Sequence, residues 1–229
     1  MSIFHVSTQF DGLFSHFYEY FIAPAVFRAM ESDLEGDFVQ RIPEGCRVLD
    51  VGCGGGHHVL AIAQMRPDLE VVGLDLSPQL VAHARRKSAA QNTGRVSFVE
   101  GTALDLPFES ESFDHVYSAG SIKHWGDKHA KRRGLQECLR VLRPGGAFLV
   151  MEADRGAHYE DIVRWARQSR VPRPLLPLLH AYFATWVVSQ SIDLDDARDL
   201  WAELPIVDKA GPRRIREQPA LVMTGVRPA

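Results

Sequence analysis

The chain has 229 residues, of which 45% are hydrophobic and 24% charged, and its formal net charge is −3. This composition is ordinary for a soluble globular protein, and the length suits one α/β domain with additions. Because there is no excess of basic residues, the charge argues against a nucleic-acid partner.

The three cysteines, Cys46, Cys53 and Cys138, show no Cys-x-x-Cys spacing. We therefore predict neither a metal site nor a disulfide framework. The first residues lack a basic segment followed by a continuous apolar run, so we expect no secretory signal and a cytoplasmic location. The apolar segments are too short and too interrupted to predict a membrane span.

Two stripes of apolar and aromatic side chains recur at helical spacing. The first consists of Phe10, Leu13, Phe14, Phe17, Tyr18 and Phe21. The second consists of Leu175, Leu178, Leu179, Tyr182, Phe183, Trp186 and Val187. Core packing is the simplest interpretation of such stripes. A lid or pocket wall for an apolar acceptor is the first alternative, and contact with a membrane surface is the second.

From Val48 onward, short apolar runs alternate with helical patterns, which is typical of repeated βα units. The predicted strands are Arg47–Val51, Glu70–Leu74, Val96–Glu100, Phe113–Tyr117 and Ala147–Met151. Their nearly continuous apolar character predicts a parallel sheet with helices on both faces. A helix that ends near Arg143 is predicted to stop at Pro-Gly-Gly (144–146), directly before the fifth strand.

The segment between the first strand and the next helix is rich in glycine. It reads Asp-Val-Gly-Cys-Gly-Gly-Gly (50–56), with glycines at alternate positions after the acid. Glycine tolerates positive φ and has no Cβ, so a ligand can lie directly against this backbone. The turn also falls where open α/β sheets bind nucleotides. His57 departs from the dinucleotide fingerprint, and no Gly-Lys-Ser/Thr phosphate loop is present.

The second predicted strand is followed by Asp75. Nucleotide-binding folds place an acid at this distance from the glycines, where it binds the ribose hydroxyls. A carboxylate accepts both hydrogens of a diol, and its charge strengthens these hydrogen bonds. The glycine turn and Asp75 together predict a nucleotide-like ligand that has no pyrophosphate.

With these motifs the chain resembles class I S-adenosylmethionine-dependent methyltransferases, and it is most similar to the small-molecule branch that includes the ubiquinone and menaquinone methyltransferases. The matching stretches are Val-Leu-Asp-Val-Gly-Cys-Gly-Gly-Gly (48–56), Gly-Leu-Asp-Leu-Ser (73–77), Leu-Pro-Phe-Glu-Ser-Glu-Ser-Phe-Asp (106–114), Arg-Val-Leu-Arg-Pro-Gly-Gly (140–146) and Ala-Leu-Val-Met-Thr-Gly (220–225). The resemblance implies an α/β fold: a Rossmann-like, doubly wound sheet of seven mostly parallel strands with an antiparallel last strand. The expected single domain consists of a helical cap (1–40), a cofactor-binding core (41–154), a helical specificity insertion (155–203) and closing strands (204–229).

The resemblance also implies S-adenosylmethionine as the cofactor and assigns its contacts. They are Asp50 near the amino group, Gly52, Cys53 and Gly54 against the methionine part, Asp75 on the ribose, Leu76 beside the adenine, Thr102 and Ala103 at the adenine edge, and the carbonyl of Ser118 at the amino group. The family commonly has Asp where this chain has Thr102. A hydroxyl is the weaker acceptor, so either cofactor affinity is lower or Asp105 compensates.

Methyl transfer is a direct displacement, for which the protein supplies placement and electrostatics rather than a covalent nucleophile. In the family, the segment after the fourth strand lies next to the reacting methyl; here it reads Ser-Ile-Lys-His-Trp (121–125). His124 is the candidate general base, because imidazole titrates near neutrality. Its alternative role is to order the loop or orient the acceptor. Lys123 is the second candidate and is expected to face solvent.

We expect the acceptor pocket to be lined by Trp125 and, from the N-terminal segment, by His16, Tyr18 and Tyr20. The expected activity is methylation of a small or lipid-like metabolite, apolar or aromatic, at oxygen first and at carbon or nitrogen next. A homodimer is among the assemblies that the sequence allows. The alternative functions are a catalytically weak S-adenosylmethionine-binding partner protein and a nicotinamide-dependent oxidoreductase, which His57 disfavours.

Overall fold

The structure, a computed structural model, describes residues 38–91, 94–168, 171–207, 210–216 and 218–229. The N-terminal stripe lies outside this part of the chain. The predicted pocket residues His16, Tyr18 and Tyr20 also lie outside the described residues, so their role stays a prediction.

Within the described residues, seven strands form one sheet. They are β1 (Arg47–Val51), β2 (Glu70–Asp75), β3 (Val96–Glu100), β4 (Phe113–Ala119), β5 (Leu142–Ala153), β6 (Arg213–Arg214) and β7 (Ala220–Val226). Their order across the sheet is β3-β2-β1-β4-β5-β7-β6. Neighbours among β1 to β5 pair in parallel, whereas β7 runs antiparallel to β5 and β6. The predicted Rossmann-like sheet with an antiparallel last strand is confirmed.

Helices cover both faces of this sheet. They are α1 (His57–Met65), α2 (Pro78–Gln91), α3 (Lys128–Val141), α4 (Tyr159–Gln168), α5 (Leu176–Tyr182), α6 (Val188–Gln190) and α7 (Leu194–Ala202), with a π-helical stretch (Phe183–Val187) between α5 and α6 and 3-10 turns at Val39–Arg41, Ile122–His124 and Arg173–Leu175. Alternate side chains of the central strands enter two separate cores. Val48 packs with α1 and α2, whereas Leu49 packs with α3 and α7. The strands are therefore apolar on both faces.

The junction between α3 and β5 differs from the prediction. The helix ends at Val141 and the strand begins at Leu142, so Pro-Gly-Gly (144–146) lies inside the strand rather than before it. The last carbonyls of α3 accept hydrogen bonds from the guanidinium of Arg227, which ends the helix without a separate loop. The β4–β5 register shifts between Phe113 and His115, and Gly145 takes φ +78° beside this irregularity.

The segment from β5 to α7 forms a small core of its own. Ile162, Trp165 and Ala166 of α4 pack against Leu179, Phe183, Val187 and Val188. Most of the described part of the second stripe is thus core packing, although Leu175 and Leu178 are 40% and 67% exposed. Ile192 pairs with Asp154 at the end of β5, so this segment begins and ends at one point of the sheet. In the described part of the chain, every helix is too short or too polar to cross a membrane.

Candidate active site

The glycine turn connects β1 to α1 at the carboxyl edge of the sheet. Gly52, Gly54 and Gly56 have φ values of +83°, +53° and +77°, which side chains other than glycine rarely adopt. Space is a second constraint at Gly52, because a Cβ there would overlap the side chain of Ser121. The turn therefore needs glycine both for its conformation and for the close approach of its neighbour.

The backbone N–H groups of the turn are already used within the protein. Gly52 and Cys53 donate to the carbonyl of Leu74 at 2.7 and 2.9 Å. Gly54 donates to Oδ2 of Asp75 at 2.8 Å. A pyrophosphate needs such N–H groups free. The turn thus suits a ligand without phosphates, as the sequence predicts.

Asp75 joins the glycine turn to the start of α2. Its Oδ2 accepts from Gly54, and its Oδ1 accepts from the N–H of Ser77 at 2.9 Å. Each carboxylate oxygen can accept a further hydrogen bond. Asp75 can therefore bind a ribose diol while it holds the turn in place.

A cavity of about 340 Å³ lies between the glycine turn and the segment that follows β4. Six of the nine predicted cofactor contacts line it, namely Gly52, Gly54, Asp75, Leu76, Thr102 and Ala103. His124 and Trp125 line it as well. Leu76 is 49% exposed, as a side chain that covers a flat ring from one side would be. The structure thus brings six of the predicted cofactor residues and the predicted catalytic segment around one space.

Three predicted cofactor residues, Asp50, Cys53 and Ser118, are buried and do not line this cavity. The hydroxyl of Ser118 donates to the carbonyl of Val51 at 2.8 Å, which ties β4 to the end of β1. The thiol of Cys53 fills the space above Gly73, where a Cβ would lie 2.8 Å from its sulfur. These two side chains stabilise the floor of the site, so any cofactor contact they make is through their backbone.

Asp50 is a buried acid at the base of the turn. Its side chain is 1% exposed, and its only polar neighbour that acts on it by hydrogen bonding among the described residues is the hydroxyl of Tyr117, which makes no bond of normal geometry with it. Burial raises the pKa of Asp50 to about 8, the charge of Asp75 adds to the rise, and the hydroxyl of Tyr117 opposes it. An ammonium group nearby would favour the ionised form. A buried acid that has no cationic partner in the described residues suits a cofactor that carries an amino group.

Thr102 and Asp105 differ in their relation to the cavity. The Oγ1 of Thr102 accepts from the N–H of Leu104 at 3.2 Å, and Thr102 lines the cavity. Asp105 is exposed and is not part of the lining. The geometry favours Thr102 over Asp105 as the residue at the adenine edge.

His124 and Trp125 come from the segment between β4 and α3. Burial lowers the pKa of His124 to about 3, and the charges of Lys123 and Lys131 lower it further. The imidazole is thus neutral at physiological pH and is a weak base. The indole Nε1 of Trp125 donates to Oγ of Ser121 at 2.7 Å. Its ring packs against Gly134 of α3, where a Cβ would clash.

The expectation that Lys123 faces solvent is wrong. Its side chain is only 9% exposed, and its Nζ lies 3.0 Å from Oε1 of Glu152, which is fully buried at the end of β5. Sequence reasoning missed Glu152, although an acid inside the apolar run Phe-Leu-Val-Met-Glu-Ala (148–153) was a signal. It also missed Ser121, for which the sequence offers no signal. No group of three or more His, Cys, Asp or Glu in the described residues is arranged to hold a metal ion.

Comparison with known proteins identifies the domain. Residues 48–146 match the family model of the methyltransferase domain. Residues 48–146 form a methyltransferase domain of class I. S-adenosylmethionine is the cofactor of this domain. The match contains the glycine turn, Asp75, Thr102 and the 121–125 segment, so the cavity belongs to the domain.

Two curated relatives and one solved structure illustrate the similarity. The chain is 40% identical over 114 residues to the ubiquinone/menaquinone biosynthesis C-methyltransferase UbiE of Geobacter sulfurreducens. This alignment covers 49% of this chain and 43% of the relative. It is 33% identical over 132 residues to the O-methyltransferase resE of Aspergillus sclerotiorum, and that alignment covers 56% of this chain and 48% of the relative. The solved structure of a SAM-dependent methyltransferase from Aquifex aeolicus superposes on this chain with a TM-score of 0.59 and 15% sequence identity. The superposition covers 88% of this chain and 97% of that one, so the two share a fold. The chain matches less than half the length of these curated relatives.

Proposed function

We propose that the whole chain is an S-adenosylmethionine-dependent methyltransferase that transfers a methyl group to a small, apolar, quinol-like acceptor. One observation carries this proposal: a single cavity is bounded on one side by the glycine turn and Asp75 and on the other by His124 and Trp125. Cofactor-binding groups and groups suited to a flat aromatic ring therefore face each other. The names of the relatives support a quinone-like acceptor.

The residues around the cavity have separate tasks in this proposal. The cofactor supplies a methyl group on a sulfonium. Gly52, Gly54 and Asp75 bind and orient it, while Asp50 compensates its ammonium group. The neutral imidazole of His124 accepts a hydrogen bond from an acceptor hydroxyl and orients it, and the proton that the hydroxyl loses on methylation passes to solvent. Trp125 covers the acceptor and excludes water.

We propose oxygen as the methylated atom, since a neutral imidazole in the cavity wall suits the orientation of a hydroxyl. The O-methyltransferase relative supports this choice. Carbon is the second candidate, which the C-methyltransferase relative favours. The predicted homodimer and cytoplasmic location stay predictions.

Two measurements test the proposal. Calorimetry should show binding of S-adenosylmethionine and S-adenosylhomocysteine and no binding of NAD. Incubation with an isotope-labelled methyl donor and a panel of quinols and phenols should then give a labelled product, in which NMR distinguishes an O-methyl from a C-methyl group. Cofactor binding without transfer to any quinol or phenol would favour the alternative of a catalytically weak partner protein.

The pH dependence of turnover tests the role of His124. Because its pKa is lowered to about 3, we expect no inflection from this residue between about pH 6 and pH 9. His124→Gln should lower kcat by a similar factor across that range, about 10-fold or more. Steady-state kinetics at several pH values measure this, with the exposed His129→Gln as the control. A wild-type acid limb near pH 6.5 that the His124 variant lacks would identify a general base with an ordinary pKa.

A further inference from the structure

Three residues of the cavity wall come from one short segment, which we call the 120–125 segment (Gly120 to Trp125). They are Ser121, His124 and Trp125. The segment contains a single 3-10 turn, Ile122–His124. A turn of this length has poor hydrogen-bond geometry and does not hold its orientation alone. Contacts with other elements must therefore fix the direction of His124 and Trp125.

The contacts that fix the segment come from β5. The N–H of Gly120 donates to the carbonyl of Met151 at 2.8 Å. The N–H of Lys123 donates to Oε2 of Glu152 at 3.0 Å, and its Nζ donates to Oε1 at 3.0 Å. The same Nζ donates to the carbonyl of Gly120, which closes the segment on itself. One buried carboxylate thus holds both the backbone and the side chain of Lys123.

The 120–125 segment also packs against the glycine turn on the cofactor side of the cavity. The side chain of Ser121 fills the space that the missing Cβ of Gly52 leaves open. The same Oγ accepts from the indole of Trp125. A chain of contacts therefore runs from Glu152 on β5 through Lys123 to the residues that face the glycine turn.

Stability alone does not account for this ion pair. Removing two charges from water costs about as much as their attraction returns, so an apolar pair of similar volume is often equally stable or more so. An apolar pair cannot hydrogen-bond the backbone N–H of residue 123 and the carbonyl of residue 120. The ion pair therefore adds hydrogen bonds that fix the orientation of the 120–125 segment.

We propose that Lys123 and Glu152 are positioning residues for methyl transfer, which hold the 120–125 segment so that His124 and Trp125 face the acceptor. The inference rests on the proposed function, because it assigns the acceptor to the side of the cavity formed by this segment. The hydrogen bonds of the pair reach only residues 120, 123 and 153, and none of them joins the glycine turn or Asp75. We therefore expect the pair to affect turnover much more than cofactor affinity.

The decisive variant replaces both partners with methionine, Lys123→Met with Glu152→Met. Single replacements leave a buried unpaired charge and are expected to unfold the protein, whereas the double replacement keeps the volume. We expect a Tm lowered by several degrees, because the N–H groups of residues 123 and 153 lose their shared acceptor. We expect an affinity for S-adenosylhomocysteine within about twofold of wild type and a kcat lowered at least about 10-fold. Lys123→Met with Glu152→Gln should recover part of the loss, because the amide oxygen can still accept the N–H of residue 123.

The matched control is the ion pair of Lys128 and Asp199, whose 2.9 Å distance is similar but whose side chains are 50% and 65% exposed. Lys128→Gln with Asp199→Asn should change neither kcat nor Tm. A wild-type kcat in the double methionine variant would overturn the proposal. So would a loss of kcat that is matched by an equal loss of cofactor affinity, since that pattern reports a general structural role.

Amide hydrogen exchange separates this proposal from the proposed function. Exchange at residues 121–125 should accelerate in the double methionine variant, with and without S-adenosylhomocysteine, and change little in the control pair. If wild type methylates no acceptor, the proposed function fails. Unchanged hydrogen exchange at residues 121–125 in the double methionine variant would overturn the positioning role, whether or not wild type is active.

Discussion

Replacement of Asp75 with alanine is expected to weaken binding of S-adenosylhomocysteine about 10- to 100-fold, because it removes charge-assisted hydrogen bonds worth ~1.5–3 kcal/mol. The loss has two sources. The ribose loses its acceptor, and Gly54 and Ser77 lose the carboxylate oxygens that hold them at 2.8 and 2.9 Å. Titration calorimetry measures the affinity.

Asp75→Asn tests the contribution of the carboxylate's charge. The amide keeps one oxygen for the backbone and loses the charge, so its affinity should fall between those of wild type and the alanine variant. Asp199→Ala, which removes an exposed acid on α7, serves as the control. If Asp75→Ala bound S-adenosylhomocysteine as wild type does, Asp75 would have no place in the cofactor site.

Replacement of Asp50 with asparagine is expected to stabilise the free protein at neutral pH and weaken cofactor binding. The pKa of Asp50 rises from 3.8 to about 8 on folding. The folded state therefore holds a proton that the unfolded state releases, so stability is highest below about pH 4 and falls as the pH rises to about 8. Asparagine has no proton to release. We expect a gain of about 1–3 kcal/mol at pH 7 and a Tm higher by several degrees.

The cofactor should reverse this advantage. Ionised Asp50 compensates an ammonium group and asparagine does not, so affinity for S-adenosylhomocysteine should fall about 10-fold or more. Thermal unfolding at several pH values, with and without ligand, measures both effects. Asp195→Asn, at a side chain that is 89% exposed, should show neither. An Asp50 variant with wild-type stability and unchanged pH dependence would mean that the carboxyl is ionised in the free protein.

The sequence predicts the sheet and the position of the glycine turn well, because both depend on local patterns. Apolar runs locate the central strands, and the glycine spacing with Asp75 locates the turn. The junction at Val141 was missed because Arg227, far along the chain, ends the helix. The partner of Lys123 was missed for a similar reason, since Glu152 lies 29 residues away and meets it only through the β4–β5 pairing.

The pairing of Asp154 with Ile192 has an evolutionary consequence. The N–H of Arg155 donates to the carbonyl of Ile192 at 3.0 Å, so the chain leaves the sheet and rejoins it at neighbouring positions. Replacing what lies between them changes the closure entropy only slowly with length. The 155–191 region is thus expected to accept insertions and deletions while the seven-stranded sheet stays intact.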